Sequence, residues 1–475
     1  MKKDNKTKEF AKNTAIILFG KIFTQLVIFL LLPVYTSVLN PEEYGIVDLI
    51  ITYVNLLAPL ASLQLENAIF RFLVDCRKKH NNKVKYISTS TFMLIITTFI
   101  TIFIVGLIDV IFNIDYINYM LVLIISTMMI NYLLQIARGL GDNISYSIGS
   151  MIVGIANVIF NIILLVIFSF GVEGMISSQI IANVLGCIFI IIKVRVYKYE
   201  KYSGIDKKIC KELLKYSIPL IPNNIGWWII NASDRTIISI FLNVSKNGIY
   251  SVSNKFSTAF VTIFQMVNLS WTESVVLHID DDDSDIFISN MINNILKIFA
   301  SIMLLIIIAI PIVFNFLIDQ KYAESYLYIP PLLLGSFFNI VVGLLSSVYV
   351  AKKLSNELAK TSIFASLINI IVNVVFIKFI GIWAAIISTI ISFISMSIYR
   401  YIDIKKYIKI KFNFKFLISL MFMFAFSYYM YLINSFKSNI INIFLVLVYI
   451  LYINRKYFLI LINKMKNGVK QNEKI

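Results

Sequence analysis

Long apolar runs alternate with short polar breaks along the whole chain. Fourteen runs are long enough to be helices, near 13–38, 45–73, 87–112, 116–138, 145–169, 173–197, 213–241, 247–275, 287–318, 326–350, 358–379, 381–400, 414–434 and 438–463. A helix that crosses a bilayer needs about 20 mostly apolar residues. Backbone groups in lipid must pair within their own segment, so runs of this kind predict helices. They are too long and too continuous for the alternating strands of a β-barrel. The weakest break falls at 379–381, where Gly381 is almost the only punctuation. The basic N-terminus is followed by an apolar run far longer than a signal-peptide core, which reads as the first permanent span.

Composition agrees with this pattern. Of 475 residues, 59% are hydrophobic and 15% are charged, against about 45–50% and about 25% in soluble domains. That excludes a secreted domain, a cytosolic enzyme and a nucleic-acid-binding module. Lys and Arg number 43 against 26 Asp and Glu. With the N-terminus placed in the cytoplasm, it, the even-numbered breaks and the C-terminus together hold 34 of the 43 cations. The odd-numbered breaks hold four: Lys246, Lys321, Lys378 and Lys437. Lys and Arg reside on the cytoplasmic side of membrane proteins, so the asymmetry predicts fourteen spans with both termini cytoplasmic. A miscounted helix would reverse half the loops and destroy it.

Two internal echoes keep the same order. Leu39-Asn40 with Gly45-Ile46, and Leu242-Asn243 with Gly248-Ile249, both read L-N-x4-G-I in a non-cytoplasmic turn. Asn157 and Asn161 match Asn369 and Asn373, and Gly171 and Gly381 follow at the next turn. These pairings match helix 1 to 7 and helix 5 to 11. They predict an N-terminal six-helix lobe (1–200), a second six-helix lobe (201–411) and two further helices with a basic tail (412–475). Six is even, so the halves enter the membrane in the same sense, with a substrate path expected between them. The asparagine pairs are expected to bond between helices. Seven of the eight prolines, Pro33, Pro59, Pro219, Pro222, Pro311, Pro330 and Pro331, fall within predicted spans and are expected to kink them.

Catalytic chemistry is hard to place. There is no Walker-type phosphate loop, no nucleophile elbow and no zinc-helix motif. The three cysteines, Cys76, Cys187 and Cys210, have neither disulfide nor zinc spacing, and two histidines are too few for a histidine-based metal site. No metal or cofactor is therefore expected. Charges inside a bilayer cost roughly 2.5–3.5 kcal/mol each and usually face an interior cavity. The intramembrane cations are Lys21, Arg71, Arg235, Lys255 and Lys297, with Arg138 at the edge of its span. The acids are Asp48, Glu66, Asp234 and Glu273. Lys21, Arg71, Arg138, Arg235 and Lys255 are candidate anion-binding residues, and the four acids candidate counter-charges or coupling groups. For Arg71 and Arg138 snorkelling to the interface competes with that role. Asp234 and Arg235 adjoin, point in different directions and are alternatively structural links.

Leu32–Asp48 (LPVYTSVLNPEEYGIVD) and Leu63–Phe72 (LQLENAIFRF) resemble the first helix pair of bacterial polysaccharide flippases. Gln135–Asn143, Asn231–Ile238 and Trp271–Glu273 are similar to further segments of that family. It lies within the multidrug/oligosaccharidyl-lipid/polysaccharide exporter superfamily. The resemblance implies an all-α polytopic protein of two six-helix lobes in a V around a central cationic cavity. It implies a monomeric flippase in the bacterial plasma membrane, carrying a polyprenyl-diphosphate-linked oligosaccharide to the outer leaflet. Membrane lipids, a polysaccharide polymerase and glycosyltransferases are the implied partners, and nucleic acid is not. Carried over by motif, Arg71 with Glu66, Arg138, and Asp234 with Arg235 are candidates, whereas Lys21 and Lys255 rest on their depth alone. Two rival readings are a cation-coupled multidrug exporter of the same superfamily and a membrane sugar polymerase or ligase. The short non-cytoplasmic loops count against the latter.

Overall fold

The computed structural model describes residues 29, 31–77, 80–201 and 204–455, and among them the secondary structure is helical, with no strand. In chain order the α-helices are α1 (Leu32–Val38), α2 (Pro41–Ala61), α3 (Leu65–Asp75), α4 (His80–Phe112), α5 (Ile117–Leu140), α6 (Asn143–Asn161), α7 (Gly171–Val194) and α8 (Lys207–Ser217). They continue as α9 (Leu220–Phe241), α10 (Val244–His278), α11 (Ser284–Leu317), α12 (Ser325–Ala351), α13 (Ser355–Ile380), α14 (Ile382–Ile404), α15 (Phe414–Ile433) and α16 (Phe436–Ile453). Among the described residues, twelve helices are long and apolar enough to cross a membrane. They correspond one to one with predicted helices 2–6 and 8–14. Predicted helix 1, with Lys21, lies outside the described residues except for its end at α1. Predicted helix 7 is present as α9, which carries Asp234 and Arg235 side by side and is not among the twelve.

Two predicted helices are broken. The run 45–73 is not continuous: α2 ends at Ala61, and Leu63 and Gln64 both take left-handed backbone (φ 53° and 58°) before α3 starts. Pro59 supplies no N–H at the end of α2, which helps to end the ladder there. Two successive left-handed non-glycine residues cost roughly 1–2 kcal/mol each. Local bonds offset this: the Gln64 amide donates to the Pro59 carbonyl, the Ser62 hydroxyl to a Glu66 carboxylate oxygen at 2.6 Å, and the Asn67 amide to the Gln64 side chain. Nothing in Ser62-Leu63-Gln64 signals a turn by residue type, so the periodicity ran on through it. The run 213–241 breaks between α8 and α9 at Ile218–Pro219, where proline's missing donor makes a stop expected.

The two L-N-x4-G-I copies meet. Asn40 caps α2 in a reciprocal capping box with Glu43, a device of about 1 kcal/mol. Asn243 accepts the Lys246 amide in the same way at the start of α10. Five residues after each asparagine, the matched glycines lie against one another. A Cβ on Gly45 would strike the Val244 carbonyl oxygen, and one on Gly248 the Pro41 carbonyl oxygen. Val244 and Pro41 are each the residue after their capping asparagine, so the contact is reciprocal. The Asn247 amide donates to the Gly45 carbonyl at 3.1 Å across it.

The second echo is also structural. Asn157 donates to Gln179 on α7, and Asn369 approaches the Ser388 and Thr389 hydroxyls on α14 at 3.3 and 3.4 Å. Asn157 and Asn369 thus bond to the next long helix in the chain, whereas Asn161 donates back to Asn157 within α6. Gly171 and Gly381 both take positive φ (54° and 60°), and Gly381 alone separates α13 from α14. A residue with a Cβ is strained in that conformation, which explains a glycine at both matched positions.

The chain divides into two compact units, one of residues up to Val252 with Ile377–Gly381, the other of Ser253–Phe376 with residues from Ile382 on. In the first, α7 packs along α6 and α5, and α5 along α3. In the second, α12 lies along α14, and α11 packs on α12, α15 and α16. Many large apolar side chains on α4, α6 and α15 remain exposed, Phe99, Phe103, Ile155 and Phe422 among them, as helices surrounded by lipid require.

Candidate functional site

The first unit holds a buried charged constellation near the start of α2. Asp48 lies about 10 Å into α2, and Arg235 about 9 Å before the end of α9, by helical rise. The helices run antiparallel, so their equal depth brings the side chains together. Arg235 Nε donates to Asp48 Oδ2 at 2.8 Å, with side chains only 16% and 9% exposed. The neighbouring Asp234 is also buried and accepts the Tyr250 hydroxyl at 3.1 Å from α10. Deeper along the same helix pair, Trp228 Nε1 donates to the Thr52 carbonyl at 2.9 Å. The Tyr53 ring stacks on Trp228, and its hydroxyl bonds Thr236 at 3.1 Å. An apolar cavity of about 600 Å³ opens on the other side of Tyr53, lined by Leu57, Thr97, Thr101, Val105 and Met120 among others.

Adjacent residues on a helix diverge by about 100°, and α9 uses this. Asp234 turns to α10 and Arg235 to α2, so one short segment links three helices. A lone buried charge is strongly disfavoured, and removal of one partner of a buried pair costs about 3–5 kcal/mol. Asp48 and Arg235 therefore compensate one another. An anion that replaced the carboxylate would keep the guanidinium paired but leave Asp48 to be compensated in another way.

The remaining candidates are dispersed. Glu66 is buried, and its carboxylate accepts the Ser62 hydroxyl, one turn back across the break between α2 and α3. Arg71 pairs instead with Asp75 at 2.6 Å on an exposed face of α3, its side chain 49% exposed, so the structure does not join Arg71 to Glu66. Arg138, near the end of α5, lies over the Phe70 ring at 4.4 Å. Beside it Arg77 donates to the carbonyls of Arg138 and Gly139, tying α5 to the end of α3. Lys255 is half-buried on α10 and Lys297 half-buried on α11, while Glu273 is exposed; all three belong to the second unit. Lys21 lies outside the described residues.

Sequence reasoning missed Arg400. It stands at the end of the predicted run 381–400 and reads as one of the cytoplasmic cations, yet it is 1% exposed inside α14. Its Nε donates to Thr361 at 2.9 Å, Nη1 to the Val342 carbonyl at 3.1 Å and to Ser346, and Nη2 to Ser362 at 3.2 Å. The Tyr349 ring lies 5.9 Å away, and the Tyr349 hydroxyl donates to Asp403 at 2.9 Å. The available signal was the hydroxyl content of α13 and of the end of α12, with Ser346, Thr361 and Ser362 within about two helical turns of their ends.

A bundle of membrane-length helices with charges buried at depth defines a polytopic membrane protein. Residues 10–272, more than half of the chain, match the family of polysaccharide biosynthesis proteins, and the chain belongs to that family. No curated protein matches it. The fold is shared with solved transporters. A structure described as the lipid II flippase MurJ in an inward closed conformation is 16% identical, with a TM-score of 0.69 over 95% of this chain and 100% of the other. An inward-facing multidrug resistance MATE family transporter of the MOP superfamily is 14% identical, with a TM-score of 0.66 over 80% of this chain and 95% of the other. A MOP superfamily transporter from Pyrococcus furiosus, described as having a binding pocket of reverse polarity, is 14% identical, with a TM-score of 0.52 over 83% and 96%. The protein is thus a multi-pass membrane protein with the fold of the MOP superfamily.

Proposed function

We propose that this protein turns a polyprenyl-diphosphate-linked oligosaccharide from the cytoplasmic to the outer leaflet of a bacterial plasma membrane, for surface polysaccharide synthesis. The family supports a lipid-linked cargo, and the observation that carries the mechanism is the buried Asp48–Arg235 pair. In this reading the cargo's diphosphate takes the place of Asp48 on the Arg235 guanidinium, whose planar fork suits phosphate oxygens. Asp48, released from Arg235, is then a buried carboxylate without its partner, so the exchange requires water or a proton at Asp48 and ties cargo entry to that change. Lys21 and Lys255 supply further positive potential along the path, and movement follows alternating access between two six-helix lobes. The basic breaks face the cytoplasm.

The test is complementation of a strain that lacks its own oligosaccharide flippase. Arg235→Ala, Lys255→Ala and Lys21→Ala are expected to abolish or strongly reduce surface polysaccharide per molecule of folded protein in the membrane. Normal export by all three variants sinks the assignment. A second reading, a cation-coupled drug exporter, is favoured by the two carboxylates that flank Arg235, Asp48 and Asp234. It predicts that cells expressing the protein expel cationic dyes and that Asp48→Asn stops them.

A further inference from the structure

We propose that the first unit carries a specific site for an anionic phospholipid, at the membrane face where the basic breaks lie. The site is a groove of about 420 Å³ between α4, α5 and α7, with the segment that follows α7 at its mouth. Leu94, Ile95, Phe99, Ile102 and Met129 line its length, and Thr91, Tyr197 and Glu200 its polar end. Ile95, Phe99, Ile102 and Met129 are exposed, so the groove is open sideways to surrounding lipid. From Thr91 to Ile102 it follows α4 for about 16 Å by helical rise. That is about half of a hydrocarbon core roughly 30 Å thick, the depth of one leaflet. An acyl chain anchored at the membrane surface fits this length.

Charge stands at the polar end. Lys193, Arg195, Lys198 and Lys201 are all exposed, and each lies within two residues of a lining residue. Glu200 is the acidic group among the lining residues, and it accepts the Thr91 hydroxyl at 3.3 Å. The cationic segment is fastened to the groove. Ser88 on α4 donates its hydroxyl to the Tyr199 carbonyl at 3.0 Å and accepts the Lys201 amide at 2.9 Å. Val196 is fully buried, and Arg195 takes left-handed backbone (φ 57°) to turn the chain out of α7. A side-open apolar groove one leaflet long, with an ordered cluster of four cations at its end, matches one lipid chain with an anionic headgroup. The larger cavity beside Tyr53 has no charged lining residue and carries no such headgroup argument. This site depends on the membrane reading alone, so its fate is independent of the flippase cargo.

Native mass spectrometry of the full-length purified protein tests it, with phosphatidylglycerol and phosphatidylcholine of matched chains. The wild type is expected to bind phosphatidylglycerol in preference to phosphatidylcholine. Each Lys or Arg near an anionic surface contributes about fivefold. Lys193→Gln, Arg195→Gln and Lys198→Gln together should therefore weaken phosphatidylglycerol on the order of 100-fold and leave phosphatidylcholine unchanged. Thr98→Trp, which fills the groove, should weaken both lipids. The three cations are on the surface, so that variant folds as the wild type does. Unchanged phosphatidylglycerol binding in either variant overturns the proposal. Equal binding of the two lipids by the wild type does so too, as does displacement of phosphatidylglycerol by an equal concentration of polyprenyl phosphate.

Discussion

Arg235 in the first unit and Arg400 in the second are both arginines buried within helices, and they are satisfied by different chemistry. Arg235 faces the Asp48 carboxylate and has Asp234 as its chain neighbour. The guanidinium of Arg400 is held by three hydroxyls and one backbone carbonyl, from α12 and α13, and no carboxylate is among its hydrogen-bond partners. Hydroxyls and carbonyls can hold a guanidinium in a fixed position, but they cannot neutralise it. A carboxylate neutralises it and can be replaced by another anion. The comparison separates a charge suited to exchange partners from one that pins three helices together at fixed spacing.

The largest effect is expected at Arg235. Arg235→Ala strands a buried carboxylate and should cost about 3–5 kcal/mol, read as the thermal unfolding of purified protein. Asp48→Asn added to it should recover most of that loss while export stays absent. Equal stability of the single and double variants would mean that Asp48 and Arg235 do not compensate one another.

Next comes Arg400. Arg400→Met removes the charged donor, while Ser346, Thr361 and Ser362 keep bonds to carbonyls of their own helices, so the loss should be about 1.5–3 kcal/mol in all. Export should fall only in proportion to the folded protein in the membrane. Asp403→Asn should not rescue it. If it does, Arg400 is balanced by Asp403 through Tyr349, and the two arginines are of one kind.

The smallest effect tests whether the two halves are built alike. Asn157→Ala and Asn369→Ala each remove one interhelical bond of a matched pair, worth about 0.6 kcal/mol on average in membranes. Similar losses of thermal stability, with export retained, are expected. Loss of export in one but not the other would mark that asparagine as a contact with cargo.

Much of the fold was legible from the chain. The twelve membrane-length helices match predicted runs because lipid leaves an apolar segment no choice but to pair its own backbone groups. Both echoes proved to be working parts: asparagines that cap or cross-link helices, and glycines at a close contact or a left-handed turn. The break after Ala61 was not legible, because left-handed Leu63 and Gln64 are held by bonds to Pro59 and Asn67 that residue types do not announce. In the candidate site the sequence marked Asp48 and Arg235 as charges within spans but did not pair them. It could not say that Arg71 turns to Asp75 and away from Glu66, since both lie within one helical turn or so of it.

The sequence by itself determined that this is a helical membrane protein and where its twelve membrane-length helices lie. Those properties follow from local composition and period, which each segment carries alone. Tertiary structure decided which charges are compensated, and by what. Arg400 reads in sequence as one more cation beside a basic loop. Only the approach of Ser346, Thr361 and Ser362 from two other helices makes it a buried clamp, because a charge's solvation depends on neighbours brought in from far along the chain.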